Sequence, residues 1–126
     1  MRNIFFLDNP QFYNPNDAFV AHLSKVVDKE ELLKQLRSKL NFPDYFGFNW
    51  DALFECLRDF YWIEQQKIIL VHDDLPELIE KELKNYIDIL IDSVQDWKEG
   101  EDHSFEVVFP EQFKSVFQQL KLQITS

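Results

Sequence analysis

The chain has 126 residues, 45% of them apolar and 16% aromatic, which is enough to bury one hydrophobic core. A single cysteine, Cys56, excludes an intrachain disulfide, and no cysteine or histidine cluster predicts a structural zinc site. The net charge of −10 has the wrong sign for direct binding to nucleic acid and the right sign for a basic partner protein. Acidity that only improves solubility is the alternative explanation.

The same features predict a cytoplasmic protein. A lone thiol fits a reducing compartment. The apolar run at residues 4–7 is too short for a signal peptide, and no segment approaches the ~20 apolar residues that cross a bilayer. We therefore expect no membrane association.

The first elements of the chain are a strand and a helix. Residues 1–17 predict an N-terminal arm or extra strand followed by a polar, proline-containing loop. Phe19–Leu23 predicts a short strand. Asp28 predicts a helix N-cap, with Glu31 completing a capping box. The apolar stripe of this helix comprises Leu32, Leu33, Leu36 and Leu40.

A second helix and a buried strand follow. Asn49 predicts the N-cap of a helix that runs to about Tyr61. Lys67–His72 is a nearly continuous apolar run, which is typical of a central parallel strand with helices on both faces. The core-facing positions expected for the helix are Trp50, Leu53, Leu57 and Tyr61.

The last third of the chain completes an α/β pattern. Apolar positions from Leu75 to Trp97 fit one long helix, or two helices that meet near Asn85. Phe105–Phe109 predicts another strand, and residues 111–126 predict a helix packed back on the body. Alternating strands and helices favour a small parallel sheet.

The segment from Leu40 to Phe60 is the most informative. Asp51, Glu55 and Asp59 recur every four residues, where like charges on a helix repel by ~0.2–0.5 kcal/mol per pair. Carboxylates among exposed aromatic rings suit a surface that enters a cationic cleft. The alternative is that these residues serve the fold alone. Asp51 would then be stabilised by the helix dipole, the other acids would be solvated, and the rings would belong to the core.

Residues 43–57 also carry a family resemblance. Pro43-x-Tyr45-Phe46-Gly47-x-Asn49-Trp50-Asp51-Ala52-Leu53, followed by Cys56-Leu57, resembles the barstar family of ribonuclease inhibitors and immunity proteins. The resemblance covers roughly residues 18–110. It implies one barstar-like domain over residues 1–126, with a three-stranded parallel sheet covered by helices, and residues 1–17 and 111–126 as additions.

The resemblance further implies a function without catalysis, cofactor or metal. Members of the family insert the second helix and its preceding loop into the active site of a nuclease. Glu55 stands at the position of the family's phosphate-mimicking acid. For a further acidic contact on the last family helix the candidates are Asp92, Gln95, Asp96 and Glu99, of which we choose Asp96. The implied partner contacts are Tyr45, Phe48, Asp51, Phe54, Glu55, Asp59, Phe60 and Asp96.

We therefore expect an antitoxin or immunity protein that neutralises a basic nuclease toxin, most simply a ribonuclease, in a 1:1 complex. The first alternative keeps the fold and changes the partner, to a non-barnase toxin or another basic protein. The second is an enzyme or metal protein that uses His72-Asp73-Asp74 beyond the central strand. Against it, Asp73 or Asp74 is expected to cap a helix beginning near Leu75, and His22 to be structural.

Overall fold

One parallel sheet organises the chain. The computed structural model describes the backbone of residues 3–125 and the side chains of residues 3–121. Its strands are β1 (Ile4–Leu7), β2 (Phe19–Leu23), β3 (Lys67–His72) and β4 (Ser104–Pro110). In the described part of the chain these form a single sheet in the order β1-β4-β3-β2, with every neighbouring pair parallel. The predicted α/β class is confirmed. The sheet has four strands and not the three of the predicted family core, because residues 4–7, which were predicted as part of an arm or extra strand, pair with β4 as an edge strand.

The helices are α1 (Lys29–Lys39), α2 (Trp50–Leu57), α3 (Glu80–Asp96) and α4 (Lys114–Thr125). The predicted cap of α1 is confirmed, since the Asp28 carboxylate accepts a hydrogen bond of 2.8 Å from the Glu31 amide. The predicted C-terminal helix is also present, and Phe113, Phe117 and Leu120 are buried. None of the helices within residues 3–125 has the length and apolarity needed to cross a membrane.

The start of α3 differs from the sequence prediction. The helix is continuous through Asn85, so the alternative of two helices was wrong, and it begins at Glu80 rather than near Leu75. The preceding residues are held out of the helix because the Glu77 amide donates to the Val26 carbonyl at 2.9 Å. Neither Asp73 nor Asp74 therefore caps this helix.

Different parts of the chain pack against the two faces of the sheet. Ile68 and Leu70 of β3 pack in the main core with the helices, whereas Ile69 and Val71 form a smaller cluster on the opposite face. That smaller cluster is covered by Leu7, Tyr13, Ala18 and Val20. The prediction of helices on both faces was thus wrong. Since β1 and β2 lie at opposite edges of the sheet, the segment between them has to cross it, and this segment covers the second face.

His22 of β2 forms a hydrogen bond to the segment that connects β1 with β2 and crosses the sheet. Its Nδ1 lies 2.6 Å from Asp73 Oδ1 and its Nε2 lies 3.0 Å from the Tyr13 carbonyl oxygen. Both contacts are intramolecular and join three separate parts of the chain. The histidine therefore has the structural role expected from the sequence.

His72 is buried and neutral in the core. Its Nδ1 donates to the Val108 carbonyl at 3.0 Å, and its Nε2 accepts from the Tyr86 hydroxyl at 2.6 Å. Burial lowers the pKa of His72 from 6.5 to about 4. Since Asp73 contacts His22 and Asp74 bonds the Leu75 amide, the three consecutive residues do not converge. No group of three or more acidic, histidine or cysteine side chains among the described residues is arranged to hold a metal ion.

The burial of His72 makes stability depend on pH. Between pH 6.5 and about pH 4 the unfolded chain binds a proton at this residue and the folded protein does not. The free energy of unfolding should therefore fall by ~3 kcal/mol as the pH is lowered through this window. Urea unfolding at several pH values measures the loss. In the double variant His72→Phe/Tyr86→Phe, which keeps ring shapes, this part of the pH dependence should vanish, and an unchanged slope would contradict the assignment.

Candidate partner-binding surface

Helix α2 has one face buried in the core and one face exposed to solvent. The Asn49 side chain caps it, accepting a hydrogen bond of 2.8 Å from the Ala52 amide, as predicted. Leu53 and Leu57 are fully buried in the core, whereas Asp51 and Glu55 are exposed. Because these two acids are four residues apart, they lie next to each other on the solvent side of the helix.

The helix ends at Leu57, four residues earlier than predicted. Trp97 Nε1 donates to the Leu57 carbonyl at 2.9 Å, and Phe60 adopts a left-handed backbone conformation with φ 55°. The chain therefore turns away from the helix axis. Asp59 therefore lies in this turn and does not follow Asp51 and Glu55 on the helix. Tyr61, which was predicted to face the core, is 64% exposed.

Phe60 was predicted to contact the partner, and this prediction was wrong. Its side chain is 0% exposed, and its ring centroid lies 5.3 Å from that of Phe105 and 6.1 Å from that of Trp97. The resemblance had implied this contact. In this chain the ring belongs to the core.

Three indole N–H groups fix the position of α2. Trp50, the first residue of the helix, donates to Glu82 of α3 at 3.0 Å. Trp97, which follows α3, donates to the last residue of α2, and Trp62 donates to the Leu40 carbonyl at the end of α1 at 2.9 Å. Helix α2 is thus held at both ends against neighbouring parts of the fold, and its exposed face has a fixed position.

Two exposed tyrosines lie beside Asp59. Tyr45 is 65% exposed and Tyr61 is 64% exposed. Local desolvation, the neighbouring Tyr61 side chain and the nearby charge of Asp59 raise the pKa of Tyr45 to about 12. The phenol therefore stays protonated at neutral pH and can donate a hydrogen bond to a partner. Sequence reasoning missed Tyr61 as a surface residue because it placed this position inside the helix.

Arg58 connects α2 with a second row of acids on α3. Its guanidinium carbon lies 4.0 Å from the centroid of the half-buried Phe54 ring, and its Nη1 lies 4.0 Å from Asp96 Oδ2. Partial burial and the charge of Asp88 raise the pKa of Asp92, and Arg58 partly offsets this effect. Asp88 was missed from the sequence although it continues the same four-residue spacing. We call the whole set the acidic face: Asp51, Glu55, Asp59, Asp88, Asp92 and Asp96.

Phe48 presents an aromatic ring in the loop before α2. It has a left-handed backbone, with φ 53°, which is rare for a bulky residue. The ring packs edge-on to Phe46 at 5.0 Å and remains 45% exposed. Apart from Phe60, the predicted contact residues are exposed or half-buried: Tyr45, Phe48, Asp51, Phe54, Glu55, Asp59 and Asp96.

Two comparisons bear on this surface. The family model described as "Barstar (barnase inhibitor)" matches residues 16–110. A protein of Bacillus subtilis (strain 168) named "Putative ribonuclease inhibitor YrdF" is 30% identical over 79 residues, which are 63% of this chain and 82% of that protein. The matched family residues include all of α2, the loop before it and all of α3.

Phe48 and Phe60 allow a matched test of burial. Both have a left-handed backbone, a conformation that asparagine tolerates well. Phe60→Asn should lower the free energy of unfolding by at least ~3 kcal/mol, because it empties a core site and buries an amide. Phe48→Asn should change it by less than ~1 kcal/mol, since the lost ring contact is offset by relieved strain. Urea unfolding measures both, and equal losses would contradict the assigned roles.

Proposed function

This chain belongs to the barstar family of barnase inhibitors, and we propose that it inhibits a basic nuclease, most simply a ribonuclease, by placing α2 and its preceding loop in the active-site cleft. The name of the B. subtilis relative supports a ribonuclease as the target class. As an antitoxin or immunity protein it acts in the cytoplasm, in a 1:1 complex, and binds no nucleic acid itself. It blocks the active site without performing chemistry.

The observation that carries the proposal is a pair of exposed carboxylates on a firmly held helix. A nuclease cleft is lined by cationic groups that bind phosphates, and carboxylates at the right spacing can occupy the same sites. Asp51 and Glu55 are adjacent on the solvent face of α2, and the helix is anchored at both ends by indole hydrogen bonds. Little backbone order has to be gained on binding, which lowers the cost of association.

The other exposed residues complete the proposed interface. Tyr45 and Tyr61 offer rings that can fill base-stacking pockets, together with phenol hydrogen-bond donors. Asp96 is the proposed acidic contact from α3. Its Oδ2 also lies 4.0 Å from Arg58 Nη1, so the positive charge of Arg58 has a carboxylate close by when a basic partner approaches.

The two acids of α2 can be tested directly. The protein is titrated into a basic ribonuclease of the barnase type, and RNA cleavage is followed. Asp51→Ala and Glu55→Ala should each weaken inhibition by at least ~2 kcal/mol, because each leaves a cation of the cleft without its partner. Glu111→Ala, which removes an exposed acid outside the acidic face, is the matched control and should inhibit like the unmodified protein.

Stability should be nearly unchanged in these variants, since removing either acid relieves a like-charge pair. Unfolding of both α2 variants would overturn the assignment of the acids to an interface. If the unmodified protein fails to inhibit, the family membership stands and the function moves to another partner, such as a non-barnase toxin.

Electrostatic steering gives a second prediction. A chain with a net charge of −10 and a concentrated acidic face should capture a basic nuclease quickly at low salt. The association rate constant, measured by stopped-flow fluorescence, should fall at least ~10-fold as ionic strength rises from ~0.01 M to ~1 M, over which the Debye length shortens from ~30 Å to ~3 Å. An association rate that does not change with salt would contradict steering by the acidic face.

A further inference from the structure

A groove with apolar walls and a lysine at its rim lies next to the loop before α2. It runs between α1 and the loop before α2 and has a volume of about 360 Å³. One wall is the exposed ring of Phe48 and the floor includes Leu33. The residues that line it are Lys29, Glu30, Leu33, Lys34 and Phe48.

Lys29 makes the rim of this groove positive. Lys34 and Glu30 form a salt bridge with each other at 3.0 Å and so cancel in charge. Lys29, in contrast, forms no salt bridge with any residue among 3–121, and its Nζ lies 4.9 Å from the centroid of the Trp50 ring. It stands at the first position of α1, where a cation opposes the helix dipole. The helix dipole therefore does not favour a lysine here. Asp28 and Glu82 line a neighbouring hollow with it, but neither forms an ion pair with its ammonium, which can therefore still bind an anionic group.

Phe48 links the groove to the proposed interface. It belongs to the loop before α2, and its ring is the groove wall. Nearly half of the ring is exposed although its backbone has an unfavourable conformation. Because Tyr45 and Asp51 are each only three residues from Phe48 in the chain, a partner that binds both of them lies close to this ring.

We propose that the groove receives an apolar side chain of the target nuclease that is flanked by a carboxylate, with the carboxylate against Lys29. The inference rests on the proposed function and adds a requirement to it. The nuclease surface must be basic opposite α2 and acidic opposite α1. Nucleases that lack the acidic, apolar feature beside the cleft would be rejected, so the groove selects among basic targets.

The test uses two substitutions with the same charge change and opposite expected results. Lys29→Glu and Lys114→Glu each change the net charge from −10 to −12, and Lys114 is an exposed residue of α4, outside the groove. Against a basic ribonuclease of the barnase type, the additional negative charge alone should leave inhibition equal or make it tighter. We expect Lys114→Glu to behave in this way and Lys29→Glu to weaken inhibition at least ~10-fold.

Lys29→Glu gains from the helix dipole but loses the contact with the Trp50 ring, so urea unfolding has to show that this variant is as stable as Lys114→Glu before its inhibition is compared. If Lys29→Glu inhibits as well as Lys114→Glu, the inference is overturned while the proposed function stands. If the unmodified protein does not inhibit at all, the proposed function and the inference both fail.

The apolar half of the groove has its own test. Phe48→Asn should weaken inhibition of the same ribonuclease at least ~10-fold, whereas Phe12→Asn, which removes a 79% exposed ring outside the groove, should not. Sedimentation of the protein alone identifies a competing occupant. A dimer that Phe48→Asn converts to monomer would show that a second copy of the chain fills the groove, and would overturn the proposal.

Discussion

The indole hydrogen bonds around α2 are the constraint on which the presentation of the acidic face depends. The helix has eight residues, and a helix of this length is not stable by itself in water. Its order comes from tertiary contacts: Leu53 and Leu57 in the core, Trp50 donating to Glu82, and Trp97 donating to Leu57. These bonds connect residues 32 and 40 positions apart in the chain. The proposed binding surface is therefore a product of the whole fold.

The same packing allows the fold to tolerate its crowded charges. Neighbouring like charges on a helix cost ~0.2–0.5 kcal/mol per pair, whereas burying one large apolar side chain contributes ~1.5–3 kcal/mol. The three helical pairs, Asp51–Glu55, Asp88–Asp92 and Asp92–Asp96, thus cost ~0.6–1.5 kcal/mol together, which is no more than one core residue contributes. Arg58 reduces the cost further, since it lies between Phe54 and Asp96. Repulsion on this scale is affordable for stability, and it concentrates negative field where a basic partner would approach.

Local signals in the sequence predicted local structure well. The N-caps at Asp28 and Asn49 and the strand cores of β2, β3 and β4 depend on neighbouring residues, and all are present. The errors arose where distant contacts decide the outcome. The end of α2 is set by Trp97, the start of α3 by a bond from Glu77 to Val26, and the cover of the second sheet face by a connection that crosses the sheet. Neither helical periodicity nor a family motif contains these contacts.

At two residues of the candidate site, too, contacts with distant parts of the chain decide exposure, which the sequence alone did not predict. Phe48 and Phe60 both follow from the family alignment, and both have a left-handed backbone, one on each side of α2. Phe60 turns into the core and is fully buried, whereas Phe48 turns outward to a groove with a lysine rim. Resemblance transfers a position and a chemical type, but exposure depends on what the rest of the chain packs against that position. The helix is anchored at both ends, but its flanking segments differ: the turn after α2 is closed by a core residue, whereas the loop before it keeps an exposed ring that a partner can contact.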